Sequence, residues 1–179
     1  MPKPYFEDKD KKIQEIIMVD HAGEYGAQRI YAGQLKYTNV PAEKKMIKHM
    51  LDQELEHLEY FENKIKAGKS KPTALLPLWD IFGYGFGAIS AKLGSKTAML
   101  VTENVEEVIV EHYQEQIDYL EKTGKDAPLL QKIKKFKQDE ADHINIALDH
   151  ESKNAKFNKP LSALVQAICK SAIFLSKRI

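Results

Sequence analysis

The sequence predicts an all-α fold, on three observations. Apolar residues recur at the helical period over several long stretches. No segment alternates at strand period. One arrangement, a glutamate on an apolar stripe followed on the next helix by Glu-x-x-His, occurs twice in the same order. A chain of 179 residues suits one domain and can bury a core without disulfide or metal staples. With 43% hydrophobic and 30% charged residues the mix is that of a folded protein.

The first helix is expected from Ile13 to about Tyr37. Asn39-Val40-Pro41 ends it, and Pro41 suits the first turn of the next helix, where its missing N–H is not needed. That second helix runs from about Ala42 to Lys66, and Ala67–Pro72 breaks it. Thr73–Gly94 is apolar, aromatic and glycine-rich. Its alternating glycines are not a dinucleotide loop, because no strand precedes them and the spacing is wrong. A third long helix fits Ser95–Glu121, stopped by Lys122-Thr123-Gly124, and a fourth fits Ala127 to about Ser152, with Pro128 near its start. Pro160–Ile179 reads as one more amphipathic or wholly apolar helix. The expected organisation is a polar segment of residues 1–12 before a single domain, 13–179, which includes the apolar inter-repeat segment 72–94 and the C-terminal helix 160–179. The first ten residues lack the apolar run of a secretory leader. No stretch approaches the ~20 apolar residues of a membrane span.

Lys+Arg is 27 and Asp+Glu is 26, a net charge of +1, so neither a strongly basic nucleic-acid binder nor an acidic tail is expected. The single cysteine, Cys169, excludes an internal disulfide and any Cys-based zinc or iron–sulfur site.

The chemistry lies in where the acids sit. Glu54-Leu55-Glu56-His57 and Glu140-Ala141-Asp142-His143 each place a Glu and a His three residues apart, on one helix face. Alone, such a unit is a common surface pair. But residues two turns apart share a face, and those around Glu54 are Ile47 and Phe61, with Ile65 beyond. Around Glu140 they are Ile133 and Ala147, with Leu129 beyond. Glu24 likewise lies between Ile17 and Tyr31, and Glu106 between Met99 and Tyr113, with Ile117 and Leu120 on the same side. Glu107 and Glu103 are rotated away by roughly 100° and 60°. Four long helices therefore each carry one glutamate on a core-facing stripe, and two add a histidine. Four converging carboxylates would repel and are costly to bury. No lysine or arginine lies on these stripes to neutralise them. Two divalent cations would, with the imidazoles as neutral ligands, and oxygen with imidazole suits iron or manganese. A Glu from each of two helices and Glu-x-x-His from two others is the ligand pattern of ferritin-like di-iron bundles.

With these residues in view, the chain resembles the demethoxyubiquinone hydroxylase family of ubiquinone biosynthesis. The matching stretches are Val19–Ala27 (with His21-Ala22-Gly23-Glu24-Tyr25-Gly26-Ala27), Arg29–Gln34, Asp52-Gln53-Glu54, Pro72-Thr73 with Leu76–Trp79, Glu106-Glu107 with His112-Tyr113, Leu148-Asp149-His150, and Ala172–Ser176. The resemblance covers nearly everything from Ile13 onward. It implies a ferritin-like four-helix bundle with additional apolar, membrane-associating helices. It implies iron ligands at Glu24, Glu54, His57, Glu106, Glu140 and His143, and a centre of two iron ions. The implied reaction is O2-dependent hydroxylation of a polyprenylated methoxy-methyl-benzoquinol, one oxygen atom entering the ring and the other becoming water. The electron donor must be external, or the quinol itself, because the chain carries no nucleotide motif. Tyr113, and His112 beside it, are candidates for a proton or electron relay; a core tyrosine with a satisfied hydroxyl is the plainer reading of Tyr113.

Other features stay open in the sequence. His21 and His150 are each candidates to support a ligand or to pack or cap, and His49 reads as a surface or packing residue. Asp20 is a candidate hydrogen-bond partner for a ligand, while Asp142 reads as solvated. Gly23, Gly26 and Gly33 in one helix suggest close helix approach or an open channel beside Glu24. Lysines flank Leu75–Ala91 and the C-terminal helix, which suits an apolar face set into a bilayer and a quinone entrance there. Packing as extra core helices, and dimerisation or assembly into a biosynthetic complex through that surface, are the other readings. The expected location is the cytoplasmic face of a bacterial cell membrane, or the matrix side of the mitochondrial inner membrane in a eukaryote. A ferritin-like iron store, a peroxide-detoxifying di-metal protein and a non-catalytic lipid-binding scaffold are the rival functions.

Overall fold

The computed structural model describes residues 10–179. The polar segment 1–12 falls largely outside them; within them, the Asp10 side chain accepts the Lys12 N–H at 3.0 Å and caps the first helix. The helices are α1 (Lys11–Tyr37), α2 (Pro41–Lys66), α3 (Leu76–Lys92), α4 (Ser95–Thr123), α5 (Ala127–Asp149) and α6 (Asn158–Ser176), and no strand occurs among the described residues. The expected all-α class is what the structure has.

Boundaries differ where the backbone turns left-handed. The fourth long helix stops at Asp149, not Ser152, because Glu151 has φ 60°; a short 3-10 turn, Ser152–Asn154, follows. The last helix starts at Asn158, ahead of Pro160, since Phe157 at φ 57° sets the entry and proline is tolerated in a first turn. Gly124, at φ 65°, caps α4 as the Lys-Thr-Gly stop suggested.

The four long helices bury the predicted stripes. Ile17 of α1, Phe61 of α2, Tyr113 of α4 and Ile133 of α5 meet in one apolar cluster. Tyr31, Ile47, Met99 and Ala147, from the same four helices, meet in a second. The order along each stripe makes α1 antiparallel to α2 and to α4, and α4 antiparallel to α5. Each stripe glutamate lies midway between its two apolar neighbours, so all four are held between the two clusters.

α3 lies along α1, and α6 packs against α4. The glycines divide by role. A Cβ on Gly33 would strike the Tyr84 carbonyl oxygen, and one on Gly87 the Ile30 carbonyl oxygen, so these two let α1 and α3 touch backbone to backbone. Gly26 has open space before it, and Gly23 meets only the end of Ile109. Gly33→Ala is therefore expected to destabilise the fold by about 1–3 kcal/mol, as overpacking does. Gly26→Ala should gain up to roughly 1 kcal/mol from helix propensity. Urea unfolding of the two variants checks the contrast.

Candidate metal centre

Glu24, Glu54, His57, Glu106, Glu140 and His143 are all buried. They form two groups: Glu24, Glu54, His57 and Glu140; and Glu54, Glu106, Glu140 and His143. Within each group the candidate ligand atoms lie within 4.8 Å of one another. Glu54 and Glu140 belong to both. The geometry thus joins all six residues that the stripe argument singled out.

The histidines share one orientation. His57 Nδ1 faces inward, 3.0 Å from Glu140 Oε1 and 3.4 Å from Glu24 Oε2. His143 Nδ1 is 2.9 Å from Glu140 Oε2 and 3.3 Å from Glu54 Oε1. Despite this closeness, neither Nδ1 makes a well-directed hydrogen bond. Nor do both oxygens of Glu140, Oε1 of Glu54 or Oε2 of Glu106. Buried polar atoms are almost always satisfied, so inward-facing atoms without partners fit a cation between them.

The charges tell the same story. Burial, with Glu140, Glu24 and Glu106 nearby, pushes the Glu54 carboxyl well above the usual range. Burial and Glu140 raise Glu106 to about 8, against the pull of His143 and Tyr31. Burial works against ionised Glu140 too, but His143 and His57 beside it hold it at about 2. Burial disfavours charge on His57, yet Glu140 and Glu24 raise it to about 12. The cluster holds protons wherever it lacks other positive charge.

Outer contacts fix these side chains. The Tyr31 hydroxyl donates to Glu106 Oε1 at 2.6 Å, and the Tyr113 hydroxyl donates to Glu24 Oε1. His57 Nε2 lies 3.1 Å from Asp139 Oδ2, and His143 Nε2 lies 3.1 Å from Gln53 Oε1. Gln116 donates to buried Asp20 at 2.6 Å. His112 lies outside the cluster: its Nδ1 is 3.6 Å from Glu115, beside a small cavity of about 30 Å³ that Lys12, Gln116 and Lys177 also line. Burial and Lys177 lower His112 to about 4. His21 is buried with Nδ1 unpartnered, whereas His150 is exposed and bonded to the Ile146 carbonyl. His49 and Asp142 are exposed.

Sequence reasoning missed several of these residues. Asp139 and Gln53 each stand one position before the glutamate of a Glu-x-x-His unit, and that shared position was their one signal. Glu103, set aside as off-centre on α4, is fully buried; Lys153 reaches it from the turn after α5. A fifth buried carboxylate therefore exists, neutralised by a lysine that no stripe carries.

An apolar cavity of about 210 Å³ adjoins the cluster helices, between α1, α3, α4 and α6. Gly23, Ala27 and Val105, next to or one turn from Glu24 and Glu106, line its wall. Phe82 and Ile168 line it and are exposed, which places its mouth between α3 and α6. On the same two helices, α3 exposes Ile81 and Ile89, and α6 exposes Leu164 and Phe174. No helix among the described residues is long and apolar enough to cross a membrane.

Fold and site together define an all-helical protein built around a buried carboxylate–histidine cluster that could hold metal ions. The family description "Ubiquinone biosynthesis protein COQ7" matches residues 11–176, and the chain belongs to this family. It is 44% identical over 172 residues to the NADPH-dependent 3-demethoxyubiquinone 3-hydroxylase, mitochondrial, of Dictyostelium discoideum, covering 96% of this chain and 79% of that one. The protein of that name from Homo sapiens is 44% identical over 169 residues, covering 93% and 78%. The 3-demethoxyubiquinol 3-hydroxylase of Rhodospirillum rubrum is 38% identical over 169 residues, again covering 93% and 78%.

Proposed function

We propose that this chain is a di-iron monooxygenase that hydroxylates a polyprenylated demethoxyubiquinol with O2 in ubiquinone biosynthesis, a single ferritin-like domain from residue 13 onward. The observation that carries the reading is the pair of interlocked Glu/His groups beside an apolar cavity. Glu24 and His57 would hold one iron and Glu106 and His143 the other, with Glu54 and Glu140, common to both groups, available to each. Two divalent ions match four carboxylates in charge, which repulsion alone would not allow to crowd. Two irons held there would supply activation of O2, one oxygen atom entering the ring and the other leaving as water with two protons and two electrons from an external donor.

The chain's own residues do the rest. The cavity binds the apolar part of the substrate and excludes water, its small residues on α1 leaving room for a ring beside Glu24. Tyr113 keeps its proton, because burial pushes the phenol well above its usual range; its hydroxyl donates to Glu24 and orients that carboxylate, and as a relay it would hand a proton on only while taking one from another group. His112 touches no cluster residue and would relay only through Tyr113 next to it. The exposed apolar faces of α3 and α6 rest in the surface of the membrane that holds the prenyl tail, so the mouth between them admits substrate from lipid. The same faces offer a surface for a second copy or a biosynthetic partner. Electrons come from outside the chain; relatives named NADPH-dependent make a nicotinamide donor the first to try.

The test is direct. Chain loaded anaerobically with iron(II) is given a short-tailed demethoxyquinol, a reductant and isotopically labelled O2. A product heavier by one labelled oxygen atom is expected, with about two irons per chain. Many irons per chain, or no oxygenated product, would overturn the reading in favour of storage.

A further inference from the structure

The outer contacts of the cluster follow the internal repeat until they reach the histidines. Tyr31 on α1 donates to Glu106 on α4, and Tyr113 on α4 donates to Glu24 on α1. Gln34 Nε2 lies 3.3 Å from Thr102 on α4, as Gln116 Nε2 lies 2.6 Å from Asp20 on α1. At the corresponding histidine contacts the chemistry differs. The acceptor for His57 is the Asp139 carboxylate, while that for His143 is the Gln53 amide oxygen, each at 3.1 Å.

These two partners are unequal in what they impose. An ionised carboxylate only accepts hydrogen bonds. Once a cation makes His57 neutral, its one proton must therefore sit on Nε2, which would leave the Nδ1 lone pair for that cation, on the side where Nδ1 faces Glu24 and Glu140. A glutamine amide can rotate and offer its NH2 group in place of its oxygen, so Gln53 does not force the same tautomer on His143. A carboxylate behind an imidazole also makes it a more basic ligand. Lys135 Nζ, 2.7 Å from the same Asp139 oxygen, is the counterion that lets a carboxylate sit in this half-buried place.

We infer that the two cation positions are unequal: the one drawn by Glu24 and His57 fills first and holds its ion more tightly, with Asp139 as the positioning residue responsible. This rests on the reading of the cluster as a two-metal centre. No step of the reaction is needed to examine it.

The experiment is an anaerobic cobalt(II) titration of the full chain, followed by calorimetry and by the visible absorption of the bound ion. The parent should take up two ions in two resolved steps, separated by about tenfold or more. Asp139→Asn should weaken the first step about 10–100-fold, the usual cost of removing such a support, and draw the two steps together. Gln53→Glu should instead tighten the second step, which also answers the question if the first variant fails to fold. A parent that binds two ions in one step leaves the metal centre standing and overturns the inequality. So does an Asp139→Asn chain whose first step is unmoved. A parent that binds no ion overturns the metal centre itself.

Discussion

Glu140→Ala is expected to abolish hydroxylation and the paired loading of iron together. Glu140 belongs to both ligand groups and has both oxygens turned inward without hydrogen bonds, so its removal opens both positions at once. A bound metal contributes several kcal/mol to such a reaction. At 1.36 kcal/mol per decade, the loss should be about a thousandfold or more in kcat/KM. Glu54→Ala should behave alike, and the double variant should be little worse than either, because residues acting as one unit are not additive. Glu56→Ala, on the exposed side of the same helix, should leave activity unchanged. Metal analysis alongside the kinetics separates the outcomes. A Glu140→Ala chain that still carries two irons and turns over would contradict its part in both groups. Retained folding by circular dichroism shows that the loss is local.

Removing the metal should lower the melting temperature, and more so as the pH rises. If free metal stands near a thousand times its Kd, binding stabilises by about 4 kcal/mol. At roughly 2–4 °C per kcal/mol for a chain of this size, the expected loss is about 10 °C. The sign with pH follows from the cluster. Burial and the neighbouring carboxylates raise Glu54 well above its usual range and Glu106 to about 8. A raised carboxyl stabilises the fold fully below its unfolded pKa, and that contribution fades as the pH climbs through the folded value. His57, raised to about 12 by Glu140 and Glu24, acts with the same sign above its unfolded pKa. Glu140, lowered to about 2, acts oppositely and only on the acid side, its contribution being lost as the pH falls from about 4.5 towards 2. The metal-free chain should thus be most stable near pH 5 and weaken steadily to pH 8. The metal-loaded chain should not follow it, since deprotonated ligands bind cations better. Differential scanning of both forms from pH 5 to 8 checks this; a constant gap between them would contradict it.

The six cluster residues were legible because each glutamate breaks an apolar stripe whose neighbours two turns away are core residues, and helical period is a local property. The cost of burying four like charges then made a cation the economical reading. The class of the fold followed from the same periodicity. The glycines were half legible: their number in α1 signalled something unusual. Only the approach of α3 shows that Gly33 serves contact while Gly26 borders space.

What the sequence by itself determined about this protein is the set of inward-facing acids, the helices that carry them and the repeat that orders them. All of these follow from spacing along one chain. What only the tertiary structure decided is who meets whom. The structure shows that Glu54 and Glu140 belong to both groups, that Asp139 stands behind His57 and Gln53 behind His143, and that Lys153 comes from a turn to neutralise Glu103. It also shows that α3 and α6 open a cavity beside the cluster. The reason is physical. Which face a residue takes is set by 3.6 residues per turn. Which partner it finds depends on how helices distant in sequence are packed, and no local period encodes that.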